Sequence, residues 1–320
     1  MLTLHSLFAC TGPVELSDTD VTGEPLDLRL DDSDIGELGP DQIVIDGPEV
    51  VIEPGADVMI CLFGTYQGPT VGMQDVHTYQ AKFGHHFQLM GTTTNVLDVP
   101  DGTVVDCTNE SAEFQMASLE PIGIPNGATV DGVESGLSMP LQPGMAVELE
   151  QGQRYVMQSH YLNSGPDPIL VRDKTVLTTL APEAVETWAA PLIMNRDDFV
   201  IPAGGTASTS FECEVDQDLN LLYLIGHMHE WGTSFSLSRV DGERSLVYDI
   251  PEWDPVYRDA PLVFDGLAEG MTLPAGSRFE TSCDWANDTD HDLVFPHEMC
   301  VSVLYVFPQK TTIICDGNGQ

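Results

Sequence analysis

Short apolar runs separated by Gly, Pro, Asn and Asp recur along the chain from Ile43 onward. Within many of these runs apolar and polar residues alternate, which is the pattern of strands that bury one face. The chain also holds 29 Gly and 22 Pro, and it shows no long helical periodicity. The pattern therefore predicts a mainly antiparallel, all-β fold. Examples of the predicted strands are Val50–Ile52, Met59–Phe63, Arg154–Met157 and Thr175–Leu177.

The predicted strands fall into two sets, separated at Ala181–Ala184. At 320 residues the chain is long enough for two ordinary domains, each with its own core. We therefore expect two tandem β-sandwiches of jelly-roll type, one over residues 46–183 and one over residues 184–320.

The chain before residue 46 has a different composition. Residues 15–45 are acidic and poor in large apolar side chains, so we expect a flexible, solvated linker. Residues 1–14 open with a short apolar stretch without Lys or Arg, and Leu7–Cys10 resembles the cleavage site of a bacterial lipoprotein. Cys10 is therefore a candidate lipidation site, although a misassigned start codon explains the same residues equally well.

The charge balance narrows the range of partners. The chain carries 11 Lys and Arg against 51 Asp and Glu, a net charge of −40. Such a surface repels phosphate backbones and anionic lipid headgroups, so we expect no nucleic-acid partner and no membrane contact except through a lipid anchor. No stretch approaches the roughly 18–20 apolar residues of a membrane-spanning helix. We expect a monomer outside the cytoplasm, either secreted or on the cell envelope.

The seven cysteines are dispersed and include no Cys-x-x-Cys pair. This pattern indicates disulfide bonds rather than a zinc ribbon or thioredoxin-like chemistry. Cys10 is the expected odd residue. The other cysteines are Cys61, Cys107, Cys213, Cys283, Cys300 and Cys315.

His227 and His229 follow the apolar run Leu221–Ile225, which predicts a buried strand. Residues two apart on a strand project from the same face, so the two imidazoles can bind one ion. Met299 precedes a second predicted strand, Val301–Phe307, and a thioether donor favours Cu(I). The three residues therefore predict a copper site. The alternative is a pair of half-buried strand histidines beside a core methionine.

A second cluster of imidazoles is predicted in the first domain. His85 and His86 are adjacent, so both can bind one ion only if the strand has a local bulge or twist, which Gly84 would permit. His160, on another predicted strand, completes a set of three imidazoles. The alternative is an ordinary surface pair of histidines.

Four further histidines lie outside the two predicted ligand sets. His297 lies two residues before Met299, so it either competes as a copper ligand or lies at the rim of the site. We expect His77 and His291 to be surface residues, and His5 falls in the apolar opening of the chain.

The ordered motifs resemble those of the copper type II, ascorbate-dependent monooxygenases, the family of peptidylglycine α-hydroxylating and dopamine β-monooxygenases. The resemblance covers roughly residues 46–316. The motifs are His85–His86, Gln158–Tyr161, His227–His229, Cys283–Thr289 and Glu298–Cys300.

The resemblance implies roles for individual residues. The electron-transfer copper would be bound by His85, His86 and His160, and the copper that binds dioxygen and substrate by His227, His229 and Met299. Gln158 would lie in the cleft near the first copper. The implied disulfides are Cys61–Cys107, Cys213–Cys315 and Cys283–Cys300.

The implied activity is hydroxylation of a C–H bond of a small organic substrate by O2, with two copper ions per chain and ascorbate or a similar one-electron reductant. Peptide-hydroxylating members hold the peptide through an arginine, an asparagine and a tyrosine, where this chain has Ile225, Val301 and Val303. This departure argues against a role in peptide amidation.

The residues leave two pairs of alternatives. The same ligands would also suit a surface lipoprotein that sequesters copper without turnover, and the missing peptide anchors agree with that alternative. The aromatic segment Tyr248–Tyr257 either lines the substrate pocket or forms a plain surface loop.

Overall fold

The computed structural model describes residues 24–92, 99–107, 141–258, 261–295 and 297–317, and the backbone of the short strands at 14–15 and 120–121. The side chains of residues 85, 86 and 92 are outside this description, as are His5 and Cys10. The chain is 52% strand and 3% helix, which confirms the predicted all-β class.

The first half contains strands β1 to β13. In chain order they are β1 (Val14–Glu15), β2 (Leu26–Asp27), β3 (Gln42–Asp46), β4 (Val50–Ile52), β5 (Asp57–Thr65), β6 (Val71–Tyr79), β7 (Gly84–Thr92), β8 (Val104–Asp106), β9 (Glu120–Pro121), β10 (Met145–Leu149), β11 (Arg154–Leu162), β12 (Ile169–Val171) and β13 (Lys174–Leu180).

The second half begins after a 3-10 turn at Pro182–Ala184 and has a second such turn at Pro255–Arg258. Its strands are β14 (Thr187–Asn195), β15 (Val200–Ile201), β16 (Thr206–Glu214), β17 (Leu219–His227), β18 (Gly232–Arg239), β19 (Ser245–Ile250), β20 (Phe264–Asp265), β21 (Thr272–Leu273), β22 (Arg278–Ala286), β23 (Leu293–Val294), β24 (Val301–Phe307) and β25 (Ile313–Asp316).

In the first half, two sheets pack face to face. The sheet β8-β5-β11-β7-β9 covers one end of a long sheet, in which the order is β10-β6-β13-β3. Their shared core is apolar and contains Phe87, Leu89 and Met157 from the first sheet and Met73, Leu149 and Leu177 from the second. This is the sandwich arrangement that the alternating strand pattern predicts.

The second half repeats this arrangement. The sheet β16-β22-β18-β19 packs on the other end of the long sheet, where the order is β20-β17-β24-β14. The core between the two sheets contains Phe235, Phe279 and Trp285 on one side and Leu224, Leu304 and Met194 on the other.

The two halves share the long sheet, because β10 of the first half pairs in parallel with β14 of the second. The far face of β17 and β24 is also covered, since Ile225, Val303 and Tyr305 pack in one cluster with Met145 of β10. The expected boundary near residue 183 therefore falls in a turn between two sets of strands, but the sheet continues across it.

The described part of the acidic N-terminal segment is not the flexible linker that we expected. Leu30 and Ile35 are buried, and β3 pairs with β13. The buried ammonium of Lys174 lies 2.9 Å from Asp32 and 2.6 Å from Asp46. The acidic composition predicts a solvated segment, but the apolar side chains of Leu30 and Ile35 are buried in the fold, and the ammonium of Lys174 pairs with nearby carboxylates.

The three disulfides implied by the family resemblance are all present: Cys61–Cys107, Cys213–Cys315 and Cys283–Cys300. They indicate an oxidising setting, outside the cytoplasm or secreted. Within the described ranges, no helix has the length and apolar character to cross a membrane.

Asp173 is a buried carboxylate at the edge of the first sandwich. It accepts hydrogen bonds from the hydroxyl of Ser159 at 2.6 Å, from the backbone N–H of Ala81 at 3.0 Å, and from the hydroxyl of Tyr161. Burial raises the pKa of Asp173 above its ordinary value, and the hydrogen bonds from Ser159, Tyr161 and Ala81 oppose that shift.

This shift predicts a pH dependence of stability. Because its pKa is raised, folded Asp173 binds a proton more tightly than the unfolded chain, so its contribution to the free energy of unfolding falls as pH rises above 3.8. Asp173→Asn removes this titration. We expect the difference in unfolding free energy, wild type minus Asp173→Asn, to decrease across that window in urea denaturation at a series of pH values. Glu183→Gln on an exposed turn is the control, and a difference that rises with pH would contradict the assignment.

Candidate metal centre

His227 and His229 are brought together at the end of β17. His227 is the last residue of the strand and pairs with Val301 of β24, where the ladder between these two strands ends. Met228, between the two histidines, is fully buried in the core of the second sandwich. The chain is thus anchored at Met228, which leaves both histidines half-buried on the other side, as the spacing of two predicts.

The two imidazoles face each other through their Nε2 atoms, which lie 3.2 Å apart with the rings nearly perpendicular, at 84°. The Nδ1 of His229 lies 3.1 Å from the backbone carbonyl oxygen of His297. Because a carbonyl only accepts, Nδ1 carries the proton and the Nε2 of neutral His229 holds a lone pair that points toward His227.

This separation fits a shared metal ion. Two imidazole nitrogens at about 2.0–2.1 Å from one ion, at a tetrahedral angle, lie about 3.3 Å apart. The observed 3.2 Å agrees with that value, although an N–H···N hydrogen bond between the rings explains the same distance. Met299, the third residue of the predicted set, is buried and lies two residues before Val301, which pairs with His227.

The carboxylate of Glu298 joins these segments. Its Oε1 accepts the backbone N–H of His229 at 2.5 Å and that of Met299 at 2.8 Å, and its Oε2 accepts the N–H of Trp231 at 3.1 Å. Burial raises the pKa of Glu298 to about 7, against the lowering effect of these hydrogen bonds.

The aromatic segment Tyr248–Tyr257 also reaches the site. The indole N–H of Trp253, a buried residue, donates to the carbonyl oxygen of His229 at 2.9 Å. The ring of Tyr257 packs edge-on against Trp253, with the ring centroids 5.7 Å apart. This segment is therefore not a plain surface loop, because it fixes the backbone of His229.

The predicted bulge at the histidine pair of the first half is present in the backbone. β11 pairs His160 with His86 and Tyr161 with Gly84, so that His85 is the extra residue on β7. The side chains of His85 and His86 lie outside the described residues. The predicted set of three imidazoles therefore remains a prediction.

His160 itself is buried and held by a carboxylate. Its Nε2 lies 2.5 Å from Oδ1 of Asp57. Because a carboxylate accepts, Nε2 carries the proton, and the neutral ring then holds its lone pair at Nδ1.

Gln158, on the same strand, does not lie in open solvent. It is 4% exposed, and its amide nitrogen lies 3.8 Å from Sγ of Cys61 and 4.0 Å from Sγ of Cys107. The side chain of Gln158, two residues before His160 in the sequence, thus packs on the Cys61–Cys107 disulfide.

Three other histidines have described side chains: His297, His291 and His77. The side chain of His297 is exposed, and the residue contributes its backbone carbonyl. His291 is an exposed residue beside Asp290, as expected. The side chain of His77 is 29% exposed, and its Nε2 lies 2.7 Å from Asp75.

Among the residues whose side chains are described, no three His, Cys, Asp or Glu groups are close enough to hold a metal ion together. The pair His227 and His229 supplies two such donors, and the third donor of the predicted set is the sulfur of Met299. Asp57, which contacts His160, gave no signal in the sequence. Trp253, which hydrogen-bonds the carbonyl oxygen of His229, lies in the aromatic segment that the sequence singled out. Glu298 also had a signal, its place beside Met299 in the motif Glu298–Cys300.

The comparisons with known proteins give no family. No protein-family model and no curated protein matches the chain. Among solved structures, the STIV MCP is 10% identical over 83% of this chain and 91% of its own, with a TM-score of 0.27. A triple jelly-roll chain of an archaeal virus is 9% identical over 84% of this chain and 61% of its own, with a TM-score of 0.24. The VP2 subviral particle of infectious bursal disease virus is 9% identical over 83% and 72%, with a TM-score of 0.20. These likenesses carry no argument about function.

The hydrogen bonds of the His229 and His160 imidazoles predict opposite tautomers for the two rings. In metal-free protein at a pH where the imidazoles are neutral, we expect His229 as the Nδ1–H form and His160 as the Nε2–H form. Nitrogen-15 NMR of the imidazole rings distinguishes the two forms, and the exposed His291 is the internal control. Finding His229 as the Nε2–H form would contradict the proposed direction of its lone pair.

Proposed function

We propose that this protein is a copper-dependent monooxygenase, which hydroxylates a C–H bond of a small organic substrate with O2 and a reductant such as ascorbate. The observation that carries the proposal is the pair of Nε2 atoms 3.2 Å apart, one of them oriented by the carbonyl oxygen of His297, beside the buried Met299. The order of motifs shared with the ascorbate-dependent copper monooxygenases supports it.

The two sets of residues would hold two unlike copper ions. His227, His229 and Met299 would hold one, and His85, His86 and His160 the other. Copper supplies one-electron redox chemistry toward dioxygen when it is bound. The thioether of Met299 favours the reduced ion, whereas the carboxylate of Asp57 makes the imidazole of His160 a stronger donor, which favours the oxidised ion.

The residues near His227 favour a substrate that is not a peptide. Ile225 and Val303 occupy two of the three positions where peptide-hydroxylating relatives place polar anchors. Both are buried in an apolar cluster with Met145 and Tyr305, so they offer no group that binds a carboxylate. On the segment that contacts His229, the ring of Trp253 packs edge-on against the ring of Tyr257.

The proposal also includes the compartment of the protein and its partners. The three disulfides support an oxidising compartment, where we place the protein as a monomer, either secreted or attached to the cell envelope through a lipid on Cys10. Its partners would be O2, ascorbate and the organic substrate. The net charge of −40 disfavours nucleic acid and anionic membranes as partners.

A second candidate function is copper sequestration on the cell surface without turnover. The apolar residues at Ile225 and Val303 favour it, since a protein that binds no substrate needs no anchor there. Both functions require the same ligands, so copper content alone does not separate them.

Copper content tests the ligands. We expect two copper ions per chain, His227→Ala to lose about one, and Met299→Ile to fold normally, because the exchange keeps a similar apolar volume. X-ray absorption on the Cu(I) protein should show a sulfur neighbour in the wild type and none in Met299→Ile. An unchanged sulfur signal would mean that Met299 is core packing only. A preference for zinc over Cu(I) at both sites would also overturn the assignment.

Turnover separates the two functions. With ascorbate, O2 and a panel of phenethylamines, benzylic compounds and peptides, we expect oxygen consumption coupled to a product that has gained one oxygen atom. His227→Ala should lower the rate by more than about 100-fold, since losing a ligand exceeds the usual effect of losing an outer hydrogen-bond partner. The exposed His291→Ala is the matched control. Copper-loaded protein that consumes no oxygen with any substrate would favour sequestration.

A further inference from the structure

Glu298 is the most buried ionisable residue at this end of the second sandwich, with no exposed surface. Burying a carboxylate is costly unless hydrogen bonds compensate for lost water. Three backbone N–H groups, those of His229, Met299 and Trp231, donate to this carboxylate and supply part of that compensation. His229 is 69 residues away in the sequence, so one side chain connects two distant segments of the chain.

Two of these hydrogen bonds, those from the N–H groups of His229 and Met299, lie just beyond the end of the β17–β24 ladder. The ladder between β17 and β24 ends at the pair His227 and Val301. His229 and Met299 both lie beyond that pair, where no backbone ladder between the two strands holds them. The Oε1 of Glu298 accepts from both of their N–H groups, at 2.5 Å and 2.8 Å, and so fixes the distance between them.

We propose that Glu298 is a positioning residue for the site formed by His227, His229 and Met299. Its carboxylate continues the connection between β17 and β24 past the last backbone pair, and holds an imidazole donor and the thioether donor at a fixed separation. The inference rests on the proposed function, because it assigns Glu298 a purpose only if these residues bind copper. It goes beyond that function in naming a residue that binds no metal itself.

The other connections in this region do not replace Glu298. The disulfide Cys283–Cys300 ties the segment after Met299 to β22, and the indole of Trp253 holds the carbonyl of His229. Each of these contacts fixes one segment to the surrounding structure. Of the side chains described here, Glu298 is the one that hydrogen-bonds the backbone of both ligand residues.

The test compares Glu298→Gln and Glu298→Ala with the wild type. Each is also made in a His160→Ala background, so that a Cu(I) titration against a competing chelator reports the second site. Gln keeps the volume but replaces one acceptor oxygen with a donor, so we expect Cu(I) affinity to fall about 10–100-fold, the usual effect of removing a group that orients a ligand. Ala removes all three hydrogen bonds and should weaken binding further. The sulfur neighbour in X-ray absorption should be lost in parallel.

The matched control is Asn287→Ala. Asn287 is a buried polar residue of the same half, and its amide donates to the carbonyl oxygens of Ile201, Pro202 and His291 at 3.1, 3.2 and 2.8 Å. Its loss should lower the thermal midpoint while wild-type Cu(I) affinity and the sulfur signal are kept. Hydrogen exchange of the His229 amide should accelerate in Glu298→Gln and stay slow in Asn287→Ala.

The outcomes separate the two proposals. A wild type without a Cu(I)–sulfur site would overturn the proposed function. A wild type with that site, matched in affinity by Glu298→Gln and Glu298→Ala, would overturn the positioning role alone. Equal weakening by Asn287→Ala would assign the effect to general destabilisation and also overturn it. Failure of the Gln variant to fold would show that the carboxylate serves the fold rather than the site.

Discussion

The pairing of β17 with β24 is the interaction on which the second half depends. Both strands are buried on both faces, one toward the sandwich core and one toward the junction with the first half. Such strands are nearly continuous apolar runs, and their register fixes every side chain at their ends. The last pair of the register places His227 opposite Val301. This pair also determines where His229 and Met299 lie, because each is two residues beyond it.

A consequence of this arrangement is that the candidate ligands lie at the end of a rigid sheet. Met228, between the two histidines, is anchored in the core. Beyond the end of the backbone ladder, polar groups hold the chain by hydrogen bonds. The carboxylate of Glu298, the carbonyl of His297 and the indole of Trp253 each hold the backbone or ring of His229. A site of this kind is preorganised, because its donors are held by groups that do not themselves bind the ion.

Much of this could be predicted from the sequence. Alternation predicted the all-β class, and the spacing of two brought His227 and His229 to one face. The adjacent His85 and His86 predicted a bulge or a twist, and the backbone of β7 has a bulge there. The disulfides followed from the resemblance to a known family. These features depend on neighbours in sequence or on motif order, which a single chain displays directly.

The rest depends on contacts between distant residues. Nothing near Asp57 indicates that it meets His160, which is 103 residues away. The parallel pairing of β10 with β14 joins two sets of strands that the composition separates. The packing of Leu30 against the first sandwich was hidden by the acidity around it. In each case a contact with a residue distant in sequence determines where the side chain or strand lies. Local propensity carries no information about that distant partner.

We propose that two unlike copper ions bind in the two halves of the chain, and anomalous diffraction at the copper edge from crystals loaded with Cu(I) would locate them. Two peaks per chain are expected, one between the Nε2 atoms of His227 and His229 and next to the sulfur of Met299, the other beside Nδ1 of His160. Copper found only among surface carboxylates, or no peak between His227 and His229, would contradict it.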